Sequence, residues 1–236
     1  MALQGKAALA MWWNIAPEQR AGFEHWHSSE HFAERLGVPG FLSGTRWTAV
    51  SGAPHYFVMY ELDGLEVLGS PAYRERLNHP TPWTTRTMAN FRNMIRSQCR
   101  VLGSAGAGVG EAMLTLRFSP RAGRAEDLRT WLAGELLPTL VERPGLCAAH
   151  LLQNAVPPVP FERQTAEQKL RGGDTTADWV LLVGGYDADV VADLGRQDLR
   201  GEVLAQRGVA EGSESGVYRL SFAMTRQDLP SISGGA

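Results

Sequence analysis

A faint internal repeat constrains this chain more than any other feature. Trp26 recurs as Trp131, Glu30 as Glu135, and Pro39-Gly40 as Pro144-Gly145, each 105 positions further on. The apolar run 7–13 recurs at the same offset as 112–118. Residues 56–60 match 179–183 at an offset of 123, so the second copy carries 18 extra residues between these segments. An offset shared by strand, helix and turn predicts one supersecondary unit used twice. The histidines of the segment 23–36 are not repeated. The repeat therefore separates what the fold needs twice from what the protein needs once.

Within the first copy, residues 7–13 read as a buried strand. Pro17 suits the first position of a helix that runs to Leu36 and stops at Gly37 and Pro39. Residues 41–50 and 56–62 read as strands joined by a turn at 51–54, and 71–77 as a short helix. Thr81 can cap a further helix that has Pro82 at its first position. Residues 94–101 alternate as a half-buried strand. The Gly/Ala/Ser run 103–110 reads as a linker. The same order then restarts, with strands at 112–118, 146–153, 179–183 and 217–224 and helices at 124–141 and 187–207. The expected fold is α+β: two tandem ferredoxin-like βαββαβ units, 1–103 and 109–226, with an inserted loop at 153–178. Packed sheet to sheet, they would form a pseudo-twofold α/β barrel. The tail 227–236 reads as frayed.

A formal charge of −2, with scattered arginines, gives no electrostatic case for nucleic acid or an anionic membrane. No apolar run is long enough to span a bilayer. Two cysteines, Cys99 and Cys147, do not make a secreted disulfide framework. A cytoplasmic location with free thiols is the expectation. There is no phosphate loop and no nucleophile elbow.

Trp26, then Glu30-His31, Glu34-Arg35-Leu36 and Val38-Pro39-Gly40-Phe41, resemble the EthD-like branch of the dimeric α/β-barrel superfamily. The segments 70–73, 80–84, 165–167 and 171–173 resemble the same bacterial subgroup. The resemblance implies a small, mostly cofactor-free enzyme or binding protein for an apolar or aromatic metabolite. The superfamily hosts oxygenases, isomerases, lyases and dehydratases, so fold alone selects no reaction.

Ideal helical angles place Gly22, Trp26, Ser29, Ala33 and Leu36 on the buried side, with Phe23 beside it. His27 and His31 then fall about 100° and 140° from Trp26, away from the sheet. There they form a solvated surface, the wall of an outer pocket or a face toward a partner subunit. His31 is the favoured catalytic candidate, because it matches the family pattern and is replaced by Leu136 in the second copy. Glu30 is a second candidate, but its recurrence also suits a structural carboxylate that accepts hydrogen bonds. His79, in a proline-rich break beside Trp83, is a candidate acid or base. Glu24, His27 and His31 share a stripe that a metal could use only with a further ligand such as His55 or His79, and no metal or cofactor is expected. His55 reads as a strand-rim residue and His150 as structural.

Trp26, Trp83, His55 and Arg171 are candidate substrate contacts. Arg163 or Arg171, in the insertion, could meet a substrate carboxylate. The insertion itself reads as a lid or an interface arm. The expected activity is acid–base chemistry on a small apolar or aromatic carbonyl or hydroxy compound, by an isomerase, lyase or dehydratase. The alternatives are a cofactor-free oxygenase and a non-catalytic binding or oligomerisation protein. The expected partner is a small molecule, with a homodimer allowed.

Overall fold

A computed structural model describes residues 3–50, 54–158 and 163–230. The turn at 51–53, residues 159–162 of the proline-rich run, and the tail at 231–236 lie outside the described residues.

The chain is an α+β protein built on a closed, eight-stranded antiparallel barrel. Its strands are β1 (Ala7–Asn14), β2 (Phe41–Ala49), β3 (Tyr56–Leu62), β4 (Arg92–Gly106), β5 (Ala112–Phe118), β6 (Leu146–Asn154), β7 (Trp179–Gly185) and β8 (Glu214–Thr225). Around the barrel they run β1-β3-β2-β8-β5-β7-β6-β4. The seams are β2 against β8 and β4 against β6. Closure removes the open edges that an antiparallel sheet would otherwise present to other chains.

Alternation along β1 shows how one sequence feeds two cores. Ala8, Ala10 and Trp12 point into the barrel, where they meet Trp47, Phe57, Met59, Met113, Leu182 and Tyr218. Ala7, Leu9 and Trp13 point outward, beneath the helices of the first half. A separate outer core lies beneath the helices of the second half. The barrel is thus a packed interior with an apolar layer on each side.

The helix of the first half, α1, runs as Arg20–Trp26, a π-helical turn at His27–His31, and Phe32–Leu36. Its counterpart α4 runs as Ala125–Trp131, a π turn at Leu132–Leu136, and Leu137–Val141. Each bound of α4 stands 105 positions after its counterpart in α1. Both helices end in a Pro-Gly turn whose glycine, Gly40 or Gly145, has φ of 92° or 94°. Only glycine adopts that conformation without strain.

Two short helices, α2 (Pro71–Asn78) and α3 (Pro82–Met88), complete the first half. Ser70 and Thr81 cap them by accepting hydrogen bonds from Tyr73 N and Thr84 N. In the second half, α5 (Ala166–Leu170) lies in the insertion, and α6 (Ala188–Arg196) and α7 (Gly201–Gln206) stand where one helix was expected at 187–207. The expected linker is not one throughout. β4 runs on to Gly106, and Gly103 to Gly106 pair with Leu151 to Ala148 of β6. The small residues there serve packing, since a Cβ on Gly103 would lie 2.8 Å from Ala133. Among the described residues, no helix is long and apolar enough to cross a membrane.

Candidate functional site

The π turn at His27–His31 resets the buried face of the helix from its far end onward. Such a turn holds one extra residue, so everything after it is rotated by about 100° from an ideal helix. Phe23, Trp26, His27, His31, Phe32, Arg35 and Leu36 are buried. Ser29 is exposed and Ala33 half-buried, contrary to the ideal-helix reading. His27 and His31 are 2% and 5% exposed, and they face the sheet, not solvent. Their rings stack at 5.5 Å, and Trp26 lies 4.4 Å from His31.

Beneath them is a narrow, partly enclosed cavity of about 30 Å³, room for roughly one water molecule. Trp13, Tyr60, Tyr73, Phe91 and Met94 supply most of its apolar wall, and Arg35, Arg96, Glu167 and Arg171 also line it. Six buried polar atoms have no hydrogen-bond partner among the described residues: Trp13 Nε1, His27 Nδ1, His31 Nδ1, Glu34 Oε2, Arg35 Nη1 and Tyr60 Oη. Five of these six residues line the cavity. Glu34 Oε2 sits 3.4 Å from His31 Nδ1, without hydrogen-bond alignment. Leaving a buried polar group unpaired costs about 1–3 kcal/mol, so a cluster of them marks a place kept for something other than stability.

The electrostatics favour neutral imidazoles. Burial pushes both histidines well below 6.5; His31 and the guanidiniums of Arg46 and Arg35 add to this at His27, and Arg35 and Arg171 at His31. Arg35 is paired with Glu167, both side chains being almost fully buried. Burial alone would lower Arg35, but the adjacent carboxylate reverses that and holds it firmly charged. Burial pushes Glu167 upward against the pull of Arg35 and Arg171. Tyr73 Oη accepts from Arg96 at 3.2 Å.

Glu167 and Arg171 belong to the insertion, which crosses from the second half onto the first. Its helix α5 begins with a capping box at Thr165 and Gln168. On its return the segment makes an isolated bridge between Thr175 and Ile95, and Thr175 O accepts from Arg96 N at 2.8 Å. Gly172 and Gly173, with φ of 80° and 98°, follow α5 directly. Outside this cavity lies an open groove of about 850 Å³. Phe91, Met94 and Arg171 line both spaces and form the wall between them.

The expected site residues are scattered. Trp26 and His31 line the cavity, and Arg171 sits at its wall. Arg171 is already engaged by Asp174 at 2.7 and 2.8 Å, so its charge is largely spoken for. Glu30 clamps helices together: its Oε1 accepts from Trp26 Nε1 at 3.1 Å, Thr81 Oγ1 at 2.6 Å and Thr84 Oγ1 at 3.2 Å. Its counterpart Glu135 is exposed. Glu30→Leu is expected to lower stability by about 2 kcal/mol in urea denaturation, since it strips a charged acceptor from three donors.

His79 is largely exposed, near Glu75, and does not line the cavity. Trp83 meets His25 edge-on at 5.3 Å along a shallower groove. His55 is half-buried against Tyr56, and Arg163 is exposed. The metal stripe is broken. Glu24 accepts from Tyr56 Oη at 2.8 Å and does not join the histidines. Among the described residues, no three His, Cys, Asp or Glu side chains are grouped to hold a metal ion.

Sequence reasoning missed Arg35, Tyr60 and Glu167 as site residues. Arg35 sat within the quoted motif, but a charged residue is rarely expected on a buried face.

The depressed imidazoles carry a pH signature. A group whose folded pKa lies below its unfolded value stabilises above the unfolded pKa, and that stability is lost as pH falls. His150, pushed by burial to about 4, contributes up to about 3 kcal/mol of such loss between pH 6.5 and pH 4. His27 and His31 add to it. Urea midpoints are therefore expected to fall steeply from pH 7 to pH 5, and a flat profile would contradict the burial of these rings.

No family model matches the chain, and no curated protein sequence matches it significantly. Solved structures do share its fold. An anthrone oxidase-like protein matches with a TM-score of 0.67 at 14% identity, over 99% of each chain. A protein described as a monooxygenase from Fusobacterium nucleatum matches with a TM-score of 0.60 at 8% identity, over 94% of this chain and 96% of that one. Another, from Lactobacillus acidophilus, matches at 0.58 and 8% identity, over 93% and 96%. At these identities the likeness is one of fold: this chain shares with these proteins an α+β fold built on a barrel-like antiparallel sheet.

Proposed function

We propose that the cavity beneath the π turn is the active site of a small-molecule enzyme, with His31 as general base. The substrate would be a small apolar or aromatic carbonyl or hydroxy compound, and the chemistry cofactor-independent isomerisation, elimination or decarboxylation. The observation that carries this reading is the convergence of unpartnered buried polar atoms on one aromatic-lined cavity. A neutral imidazole held well below 6.5 stays ready to accept a proton, but drives the transfer weakly. It therefore suits a substrate whose C–H or O–H is already acidic. The protonated ring would be a strong acid, able to return the proton elsewhere on the same substrate.

The cavity is too small for such a substrate, so α5 must move. Gly172 and Gly173 provide the hinge, and the open groove beyond Arg171 provides the approach. His79 stands outside this mechanism, and Glu30 positions Trp26 at the cavity wall.

The likeness to proteins described as anthrone oxidase-like and as monooxygenases favours a second reading, in which the same proton abstraction precedes attack by oxygen. Anthrone, a carbon acid, is a suitable probe for both. Under nitrogen in D₂O, acid–base catalysis predicts saturable exchange of its acidic C–H protons with no net product. Under air, the oxygenase reading predicts oxygen uptake in proportion to product. Exchange without uptake would leave the acid–base reading, and neither response would sink both.

The motif from Trp26 to Phe41 supports assignment to the EthD-like branch. The element bounds that recur at 105 positions support two tandem ferredoxin-like units, 1–103 and 109–226, with 153–178 as an insertion that caps the first unit's site.

A further inference from the structure

The barrel interior opens into a second cavity at one mouth, of about 280 Å³. That is near the lower limit for small-molecule sites. It is separate from the space under the π turn and shares none of its lining residues. Trp47, Met59 and Met113 form its apolar wall.

The space exists because the two halves differ at this level of the barrel. In the first half the positions are Ser43 and Glu61, whose side chains bond each other at 2.9 Å. At the corresponding positions in β6 and β7 the chain has Ala148 and Gly184, both of which line the cavity. A Cβ on Gly184 would meet nothing closer than Met113 Cε at 3.4 Å, so the site has room for a side chain that the sequence does not place there.

Two buried polar side chains line the wall, His150 and Thr45, and Thr45 Oγ1 accepts from Trp47 Nε1 at 2.9 Å. His150 is 6% exposed and lines the cavity. Ser104 Oγ accepts from Leu3 N at 3.1 Å and lies 2.7 Å from His150 Nδ1. We assign the serine hydroxyl proton to the bond with Nδ1, the tautomer that leaves the ring proton on Nε2. Burial keeps the ring neutral. In that tautomer the wall offers a neutral N–H donor among Trp47, Met59 and Met113. Glu61, at the rim, makes an anionic ligand unfavourable, and its oxygens retain lone pairs for a hydroxyl proton.

We propose that this barrel-mouth cavity binds a small, neutral hydroxy-aromatic molecule, whose oxygen accepts from His150 Nε2–H and whose ring lies against Trp47. The inference does not depend on the activity proposed for the other cavity.

Methionine methyls separate the two sites. Met59 and Met113 line this cavity, whereas Met11, Met88 and Met94 line the one under the π turn. The full chain, labelled with ¹³C at its methionine methyls, is titrated with 2-naphthol and followed by NMR. Saturable shifts at Met59 and Met113 are expected. Gly184→Leu, which fills the space, should abolish them, and Ala148→Leu serves as a second filler if the first does not fold. His150→Phe should weaken binding about tenfold, the loss of one hydrogen bond in an apolar site. Naphthalene should bind the native chain at least tenfold more weakly than 2-naphthol for the same reason. Unmoved Met59 and Met113 up to the solubility limit would overturn the proposal, as would shifts that survive in the filled variants or shifts confined to Met11, Met88 and Met94. Equal affinity for naphthalene and 2-naphthol would overturn the role given to His150.

Discussion

Replacing Arg35 by methionine is expected to cost about 3 kcal/mol of stability, one of the largest effects of any single substitution in this chain. Arg35 and Glu167 are both almost fully buried, and 132 positions of sequence separate them. Removing one partner of a buried pair costs about 3–5 kcal/mol, because the other charge is left without compensation. Arg171, 4.0 Å from Glu167, offsets part of that and sets the expectation at the lower end. An exposed pair such as Arg124 with Asp127 should contribute less than about 1 kcal/mol. The double variant Arg35→Met with Glu167→Gln should recover most of the loss, since no charge is then stranded. Urea denaturation of the four proteins in this cycle measures the coupling directly. In the single variant α5 should also become sensitive to protease, because this pair holds the cap on the first half. A loss below 1 kcal/mol, with the cap still protected, would show that the pair does not hold it.

The second expectation runs in opposite directions for stability and activity. His31→Phe should stabilise the chain by about 1 kcal/mol while reducing turnover by about 10²–10⁴-fold. The stability gain follows from removing Nδ1, which is buried without a partner, while keeping a flat ring against Trp26 and His27. The activity loss follows from removing the base. His31→Gln should lose the same activity with little change in melting temperature. A residue kept for packing would behave the other way, with stability falling and any activity following it down. Sites retained for function commonly cost stability in this manner.

Much of the architecture was legible in the sequence because repetition is insensitive to detail. The 105-residue offset recovered both long helices and the strands beside them, and the Pro-Gly turns fixed where those helices stop. Thr81 and Pro82 marked the start of α3 correctly, since capping is a local matter. The site was less legible. The π turn at His27–His31 has no signature in composition, and it moved His31 from an expected outer face to a buried one. Ideal angles therefore placed His27 and His31 on the wrong face of the helix. Arg35 and Glu167 were invisible as a pair, because nothing in sequence links a helix residue to an insertion 132 positions away. His79 looked suited to chemistry because it opens a proline-rich break between two helices, but its side chain faces outward beside Glu75.

Proton exchange into an aromatic carbon acid under nitrogen, in the native chain and in His31→Gln, reads the role of His31 without intermediate steps. Saturable, enzyme-dependent exchange is expected, falling by at least about 10²-fold in the variant, with both proteins equally folded by circular dichroism. Exchange no faster than in buffer, or unchanged by the substitution, would contradict the assignment of His31 as the base and of this cavity as the active site.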